Sequence, residues 1–284
     1  MSEGISQILA AKALNVLRGF SCTSPYSAKS FRVGLGTALP PTTGDFAGIE
    51  VPVTGVGYAR FNIPTASAAS AWLVSGRTVT NTQTALFGPA IVDWVNDVQS
   101  VGIFADPTAT VAWFFAHLST GQGCPLGNYI KFSPGELQLS LTTGTTAKSD
   151  ELVGKQLSLL LGQSYSLPGN DVYIGLGTKG LGQLGNGDIG EFTSVNAPGY
   201  QRVQVPATIT SFSDPASGRS MTNLIELVYG DATNHWALGK SFGVYTTPTG
   251  GTPWYFAAFP PEQNVLIRKN DNVIIPVSKL QINE

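Results

Sequence analysis

The groups in this chain that could do chemistry are few and scattered. Gly175-Leu176-Gly177-Thr178-Lys179-Gly180 has the glycine spacing of a dinucleotide-binding turn. That turn works between a strand and a helix, where helix amides meet a pyrophosphate. Here Gly182, Gly185 and Gly187 follow with no helical periodicity, so a strand running into a loop is expected. Gly239-Lys240-Ser241 ends like a phosphate-binding loop, but the first glycine of that motif would fall on Asn234. His117 and His235 occupy unrelated places, and a metal site needs three or four ligands at workable spacing. His117 lies in an apolar strand and reads as a packed ring. Asp93, Asp97 and Asp106 are the densest carboxylates. Paired acids could serve glycoside hydrolysis or hold calcium, yet the alternating oxygen ligands of a calcium loop are missing, and turn acids are expected. No GxSxG nucleophile turn occurs. No catalytic, cofactor-binding or metal-ligating residue is assigned, no cofactor is implied, and the chain is not expected to be an enzyme.

A different set of residues recurs. Val33-Gly34-Leu35-Gly36-Thr37 returns as Ile174-Gly175-Leu176-Gly177-Thr178, and Gly57-Tyr58-Ala59-Arg60 as Gly199-Tyr200-Gln201-Arg202. Glu50 returns as Glu191, Asn81 as Asn223 and Trp94 as Trp236. Trp113-Phe114-Phe115-Ala116 returns as Trp254-Tyr255-Phe256-Ala257, and Glu136-Leu137-Gln138-Leu139 as Lys279-Leu280-Gln281-Ile282. The offset stays between 141 and 143 along the whole length. Two copies of one unit of about 130 residues explain such phase-keeping. Glu50, Arg60, Asn81 and Trp94, with Glu191, Arg202, Asn223 and Trp236, are therefore the repeated structural positions. The arginine and glutamate could pair near a loop base. The asparagine could bond its own turn, and the tryptophan could anchor a core with its N–H occupied. A duplicated ligand site is the competing reading of the same residues.

The elements that hold these residues can be read from periodicity. Each copy opens with a short amphipathic helix. In the first, Ile5, Ile8, Leu9, Ala13, Val16 and Leu17 share a face and Gly19 stops it; in the second, Ser149 caps, Asp150 and Glu151 suit the positive helix end, and Gly162 stops it. Strands are predicted over Ser30–Thr37, Gly57–Ile63, Thr78–Phe87, Gln99–Ala105, Val111–Leu118, Tyr129–Phe132 and Glu136–Leu141. In the last, Leu137, Leu139 and Leu141 alternate with Gln138 and Ser140. The expected fold is mainly β: two tandem antiparallel β-sandwich domains, each preceded by its helix. Residues 1–141 form the first repeat, 142–148 a linker and 149–284 the second repeat.

Composition narrows the function classes. Charged residues are 12% of the chain, about half the usual share, and the net charge is −2. Nothing attracts a phosphate backbone, so no nucleic-acid partner is expected. No apolar run approaches the roughly 18 residues of a membrane span, no membrane partner is expected, and no signal peptide is read at the N-terminus. Cys22 and Cys124 both fall in the first copy, outside the shared design; pairing and idle thiols both remain open.

The order of helix, Phe31–Thr37 strand, Pro40-Pro41, Glu50, the Gly57–Arg60 box, Thr80-Asn81, Phe87, Trp94, Gly102–Asp106 and a last alternating strand resembles a family of tailed-bacteriophage virion proteins. These are usually single-unit and commonly labelled tail fibre or minor structural proteins. The resemblance covers essentially all of each copy, with departures in the second at Gln201 and Tyr245-Thr246. It carries no catalytic residues over. It implies a virion location and partners among other virion proteins: major capsid, neck or tail protein.

The expectation is a virion structural protein on the particle exterior, decorating or cementing the capsid, or attached at the neck or tail as a fibre component. A homo-oligomer is expected, with a trimer favoured, though a dimer or monomer is equally compatible with duplication. The alternative is a carbohydrate-binding adhesin using exposed aromatics such as Trp254, Tyr255 and above all Trp72, which follows the Ala66–Ala71 stretch and is expected on a loop. A tail depolymerase is the remaining possibility.

Overall fold

The computed structural model describes residues 4–24, 31–63, 71–94, 96–141, 147–180, 182–184, 187–215 and 219–284. Its chain is mainly β and antiparallel, with one short helix near the start of each half. Contacts gather it into two compact units: Met1–Ala10 with Thr23–Thr142 and Gly154–Tyr165, and Ala11–Cys22 with Thr143–Val153 and Ser166–Glu284.

The first half runs β1 (Gly4–Ile5), α1 (Gln7–Asn15), β2 (Arg32–Gly36), β3 (Phe61–Asn62), β4 (Trp72–Ser75), β5 (Thr78–Asn81), β6 (Ala85–Phe87), β7 (Val98–Phe104), β8 (Phe114–Gln122), β9 (Ile130–Phe132) and β10 (Gln138–Ser140). The strands assemble as a five-stranded sheet β1-β8-β7-β2-β3, a three-stranded sheet β10-β5-β4 and the pair β6-β9. The second half repeats the plan as β11 (Ala147–Lys148), α2 (Asp150–Ser158), β12 (Asp171–Gly177), β13 (Val203–Pro206), β14 (Ser220–Thr222), β15 (Leu227–Asp231), β16 (Ser241–Tyr245), β17 (Tyr255–Ala258), β18 (Asn272–Ile275) and β19 (Gln281–Asn283). Its sheets are β11-β17-β16-β12-β13, β14-β19 and β15-β18. Among the described residues the counterpart of β4 is reduced to one bridge, Phe212 opposite Asn223.

Both helices start and stop by the same devices. The Ser6 hydroxyl accepts the Leu9 amide at 3.4 Å, and the Ser149 hydroxyl accepts the Leu152 amide at 3.3 Å. Each helix tightens into a 3₁₀ turn and ends on a left-handed glycine, Gly19 (φ 86°) or Gly162 (φ 83°). Leu9, Ala13, Val16 and Leu17 are buried as expected, but Ile8 is 45% exposed, and Ile5 belongs to β1, opposite Phe114, rather than to the helix. The expected linker, 142–148, lies outside the described residues up to 146; Ala147 and Lys148 instead form β11 against Tyr255 and Phe256.

The run Thr78–Phe87, expected as one strand, is broken into β5 and β6, which join different sheets. Asn81 explains the break. Its amide nitrogen donates to the carbonyls of Gln83 (2.7 Å) and Ser133 (2.9 Å), and its oxygen accepts the Leu137 amide at 2.9 Å. The side chain thus replaces ladder partners that the turning backbone gives up. Asn223 makes the same three bonds, to Ile225 O, Pro276 O and the Leu280 amide, at 2.8, 2.8 and 2.9 Å. The final strand alternates as read: Leu137, Leu139 and Leu141 are buried, whereas Gln138 and Ser140 are exposed. Replacing Asn81 or Asn223 by Ala strands several buried backbone groups at once. Each substitution is expected to lower unfolding free energy by roughly 1–3 kcal/mol, read from urea melts; a shift within error would exclude this role for the asparagine.

Candidate functional site

Glu50, Arg60 and Trp94 converge on one cluster in the first unit, as Glu191, Arg202 and Trp236 do in the second, while Asn81 and Asn223 stand apart at their own turns. Arg60 donates from Nε and Nη2 to the two oxygens of Glu50, both at 2.6 Å. Its Nη1 donates to Asp106 O (3.2 Å) and Pro107 O (3.1 Å), and Nη2 donates also to Ala109 O (2.7 Å). All five guanidinium N–H groups are thereby used. The Tyr58 hydroxyl donates to Glu50 Oε1 at 3.0 Å and accepts the Leu35 amide at 2.9 Å. In the second unit Arg202 forks onto Glu191 at 2.6 Å for both bonds and donates to Thr247 O at 2.7 Å. Tyr200 bridges Glu191 (3.2 Å) and the Leu176 amide (2.9 Å). The side chains of Arg60 and Arg202 are only 9% and 3% exposed. Ion pairs this shielded need such complete pairing to hold.

Glycine makes room for the cluster. Gly34 lies opposite Gly102 across β2 and β7, and Gly175 opposite Gly243 across β12 and β16. A Cβ on Gly34 would meet Phe104 at 2.8 Å, Glu50 Oε1 at 3.1 Å and the Tyr58 hydroxyl at 3.1 Å. On Gly175 it would meet Tyr245 at 2.9 Å, with Glu191 Oε1 and the Tyr200 hydroxyl both at 3.0 Å. The guanidinium carbon sits 3.7 Å from the ring centre of Phe104 in one unit and 3.4 Å from that of Tyr245 in the other. Arginine, aromatic ring and glycine floor are thus stacked. The second side of the tyrosine is aromatic: Tyr58 packs edge-on to Trp94 and stacks on Phe87, as Tyr200 does with Trp236 and Tyr229. Trp94 Nε1 donates to Val56 O and Trp236 Nε1 to Pro198 O.

The electrostatics leave this cluster little reactivity. Burial, followed by the adjacent Glu50 or Glu191 charge, pushes the phenols of Tyr58 and Tyr200 far above the ordinary tyrosine range. Both carboxylate oxygens of each glutamate accept from arginine. Tyr58 and Tyr200 are the members missed as site residues on sequence grounds, although both stand inside the repeated Gly-Tyr-x-Arg box.

Other candidates are dispersed. The Asp93 carboxylate accepts the Leu126 amide, and Asp106 accepts from Thr108 in a local turn. His235 is exposed in the second unit, while His117 sits on β8 of the first. Among the described residues no group of three or more His, Cys, Asp and Glu could hold a metal. Gly175 and Gly177 lie inside β12, and the next element among the described residues is the strand β13, not a helix; Ser241 opens β16. Cys22 and Cys124 are both buried and do not pair in a disulfide. No helix among the described residues is long and apolar enough to cross a membrane.

Trp72 is not displayed on a loop. It begins a paired strand, β4, opposite Asn81, and is 4% exposed. Trp254 and Tyr255 are buried as well, so none of the three offers an open stacking face. Of the Ala66–Ala71 stretch only Ala71 lies within the described residues. Trp72 instead lines a cleft of about 660 Å³ in the first unit, with His117, Gln122, Lys131, Glu136 and Gln138 also on its walls.

Two predictions follow from the clasp around glutamate. Arg60→Ala leaves the partly covered Glu50 without its counter-charge and should cost roughly 1.5–3 kcal/mol, with Arg60→Lys recovering only part because it lacks the fork; equal stability of wild type and Arg60→Lys in denaturant melts would contradict the bidentate role. The second concerns pH. In Tyr58, Tyr200, Tyr229 and Tyr245 the folded phenol holds its proton to higher pH than the unfolded one. Their contribution is fully present below the unfolded value of about 10 and is lost as pH rises beyond it. Stability should fall above pH ~10, with phenolate absorbance of these rings appearing together with loss of near-UV dichroism. Their ionisation in a chain that stays folded would refute the assignment.

Comparison with known sequences supplies the remaining observation. Residues 4–140, and again residues 147–283, match the family described as podophage GP4 fiber I protein gp80. No curated protein matches the chain.

Proposed function

The chain belongs to the podophage GP4 fibre I protein family, twice over in tandem, which makes it a structural protein of the phage virion, and from that membership we propose that it works as an exterior fibre component at the neck or tail. On this reading it acts by assembly and not by catalysis. The observation that carries the proposal is the duplicated family match itself, with each copy holding its own arginine–glutamate–tyrosine clasp. Each copy is braced from within by its own clasp. A unit of that kind offers shape and loops to neighbouring virion proteins. Linking two units raises the effective concentration of the second contact after the first has formed. Low charge suits close packing against such partners. A homo-oligomer, with the trimer favoured, is part of the same reading.

Capsid decoration or cementing is the other placement that these properties allow, and particle imaging separates the two. Gold-labelled antibody against the chain should mark the neck or tail of purified particles, and the chain should be present at a fixed ratio to the tail protein. Label spread over the capsid would move the assignment to decoration. Absence of the chain from purified particles would end both.

A further inference from the structure

The cleft in the first unit contains polar atoms that the fold does not use. Trp72 Nε1 and both ring nitrogens of His117 are buried and have no hydrogen-bond partner among the described residues. Leaving such groups unmade costs on the order of 1–3 kcal/mol each. A packed protein tolerates this poorly unless another role retains them.

The second unit provides an internal control. Trp72 lies opposite Asn81, and its counterpart by pairing is Phe212, which bridges Asn223. His117 lies opposite Ser100, and its counterpart is Ala258, opposite Ser241. The same architecture is therefore built in the second unit from a ring without an N–H and from a methyl group. The three unpaired nitrogens of the first unit are not demanded by the shared fold.

The walls diverge in the same place. β8 runs nine residues, Phe114–Gln122, whereas β17 runs four, Tyr255–Ala258. The extra length carries Ser119, Thr120 and Gln122 along the cleft. Lys131, opposite Leu86, is replaced by Ile274, opposite Val228. Strand extension, side-chain exchange and unpaired nitrogens thus coincide in one copy.

From this coincidence we propose that the cleft of the first unit is a saccharide-binding site, private to that unit. Its volume of about 660 Å³ lies inside the range of roughly 300–1,000 Å³ typical of small-molecule sites. The unpaired groups ask for both kinds of partner: the indole N–H needs an acceptor, while a neutral imidazole needs one acceptor and one donor. A hydroxyl supplies both functions at one atom. The lip is polar and balanced in charge, with Lys131 against Glu136 and Gln122 and Gln138 beside them. That favours an uncharged polyol over a phosphate, which would call for an excess of cations. Apolar Leu137 and Leu139 on the floor suit the C–H face of a sugar ring. The nitrogens are covered in the unliganded chain, so binding requires the His117 ring to turn about its soft terminal torsion and the Trp72 indole to be uncovered in turn.

The test uses the full-length chain on an array of bacterial capsular and O-antigen oligosaccharides, followed by calorimetry with any glycan captured. One glycan per chain is expected. Trp72→Phe combined with His117→Ala, which installs the residue types of the second unit, should weaken binding at least tenfold. Thermal melting checks that this variant folds; if it does not, Lys131→Ala and Gln138→Ala at exposed positions carry the test, each expected to weaken binding several-fold. No captured glycan, two glycans per chain, or affinity within twofold of wild type in the folded variants would overturn the proposal. Glycan capture by the isolated chain does not depend on where the chain sits in the virion, so its failure is separable from failure of the fibre assignment.

Discussion

A carboxylate withdrawn from water must be compensated on every side, and Glu50 and Glu191 are the points around which each unit is organised. Arginine takes both oxygens of each, and tyrosine caps one of them. The tyrosine also holds the amide of Leu35 or Leu176, so the clasp is tied to the central strand of its sheet. In the first unit the arginine reaches on to three carbonyls between β7 and β8. One largely covered ion pair thus fixes a strand, a loop and a connection together. Its geometry forces the glycines beneath it, because any side chain at Gly34 or Gly175 would occupy the same space. The repeated glycine motif, which on spacing alone imitates a nucleotide loop, is the footprint of this packing.

Much of this arrangement could be read from the sequence, because duplication filters out accident. Glu50, Arg60, Asn81 and Trp94 stand out by returning in phase, and alternation in the last strand needs only a period of two. Tyr58 does not stand out as a site residue in the sequence, since an aromatic in a β-rich chain passes for core. The break at Asn81 was hidden because the flanking residues all favour strands, and only a tertiary partner such as Ser133 O shows that the asparagine ends the ladder. Trp72 differs: a small-residue stretch before it suggests a loop, whereas the residue opens the local hairpin of β4 and β5, opposite Asn81. The cleft could not be read at all: it depends on how far β8 outruns its counterpart, and strand ends are the least determined feature of a sequence.

The two copies divide into what is held in common and what has been released. Clasp, glycine floor, aromatic edge-on pair and asparagine turn agree closely, down to ring separations of 5.7 Å for Tyr58–Trp94 and for Tyr200–Trp236. Differences gather instead at β4, the end of β8 and the face of β9. A core that is independently braced in each copy permits this, since changes on one rim do not propagate into the clasp. Duplication here gives one unit freedom to specialise while the other keeps the plain form.

The near-complete shielding of Arg60 and Arg202 has a consequence for the medium in which a particle survives. Mobile ions screen charges that face water, with a reach of roughly 8–10 Å at moderate salt, and have little access to pairs enclosed by protein. Charged residues are only 12% of the chain, and the clasps are its repeated ion pairs. A fibre built from such units would keep its shape from dilute to saline surroundings, a useful property for a part that works outside the host cell.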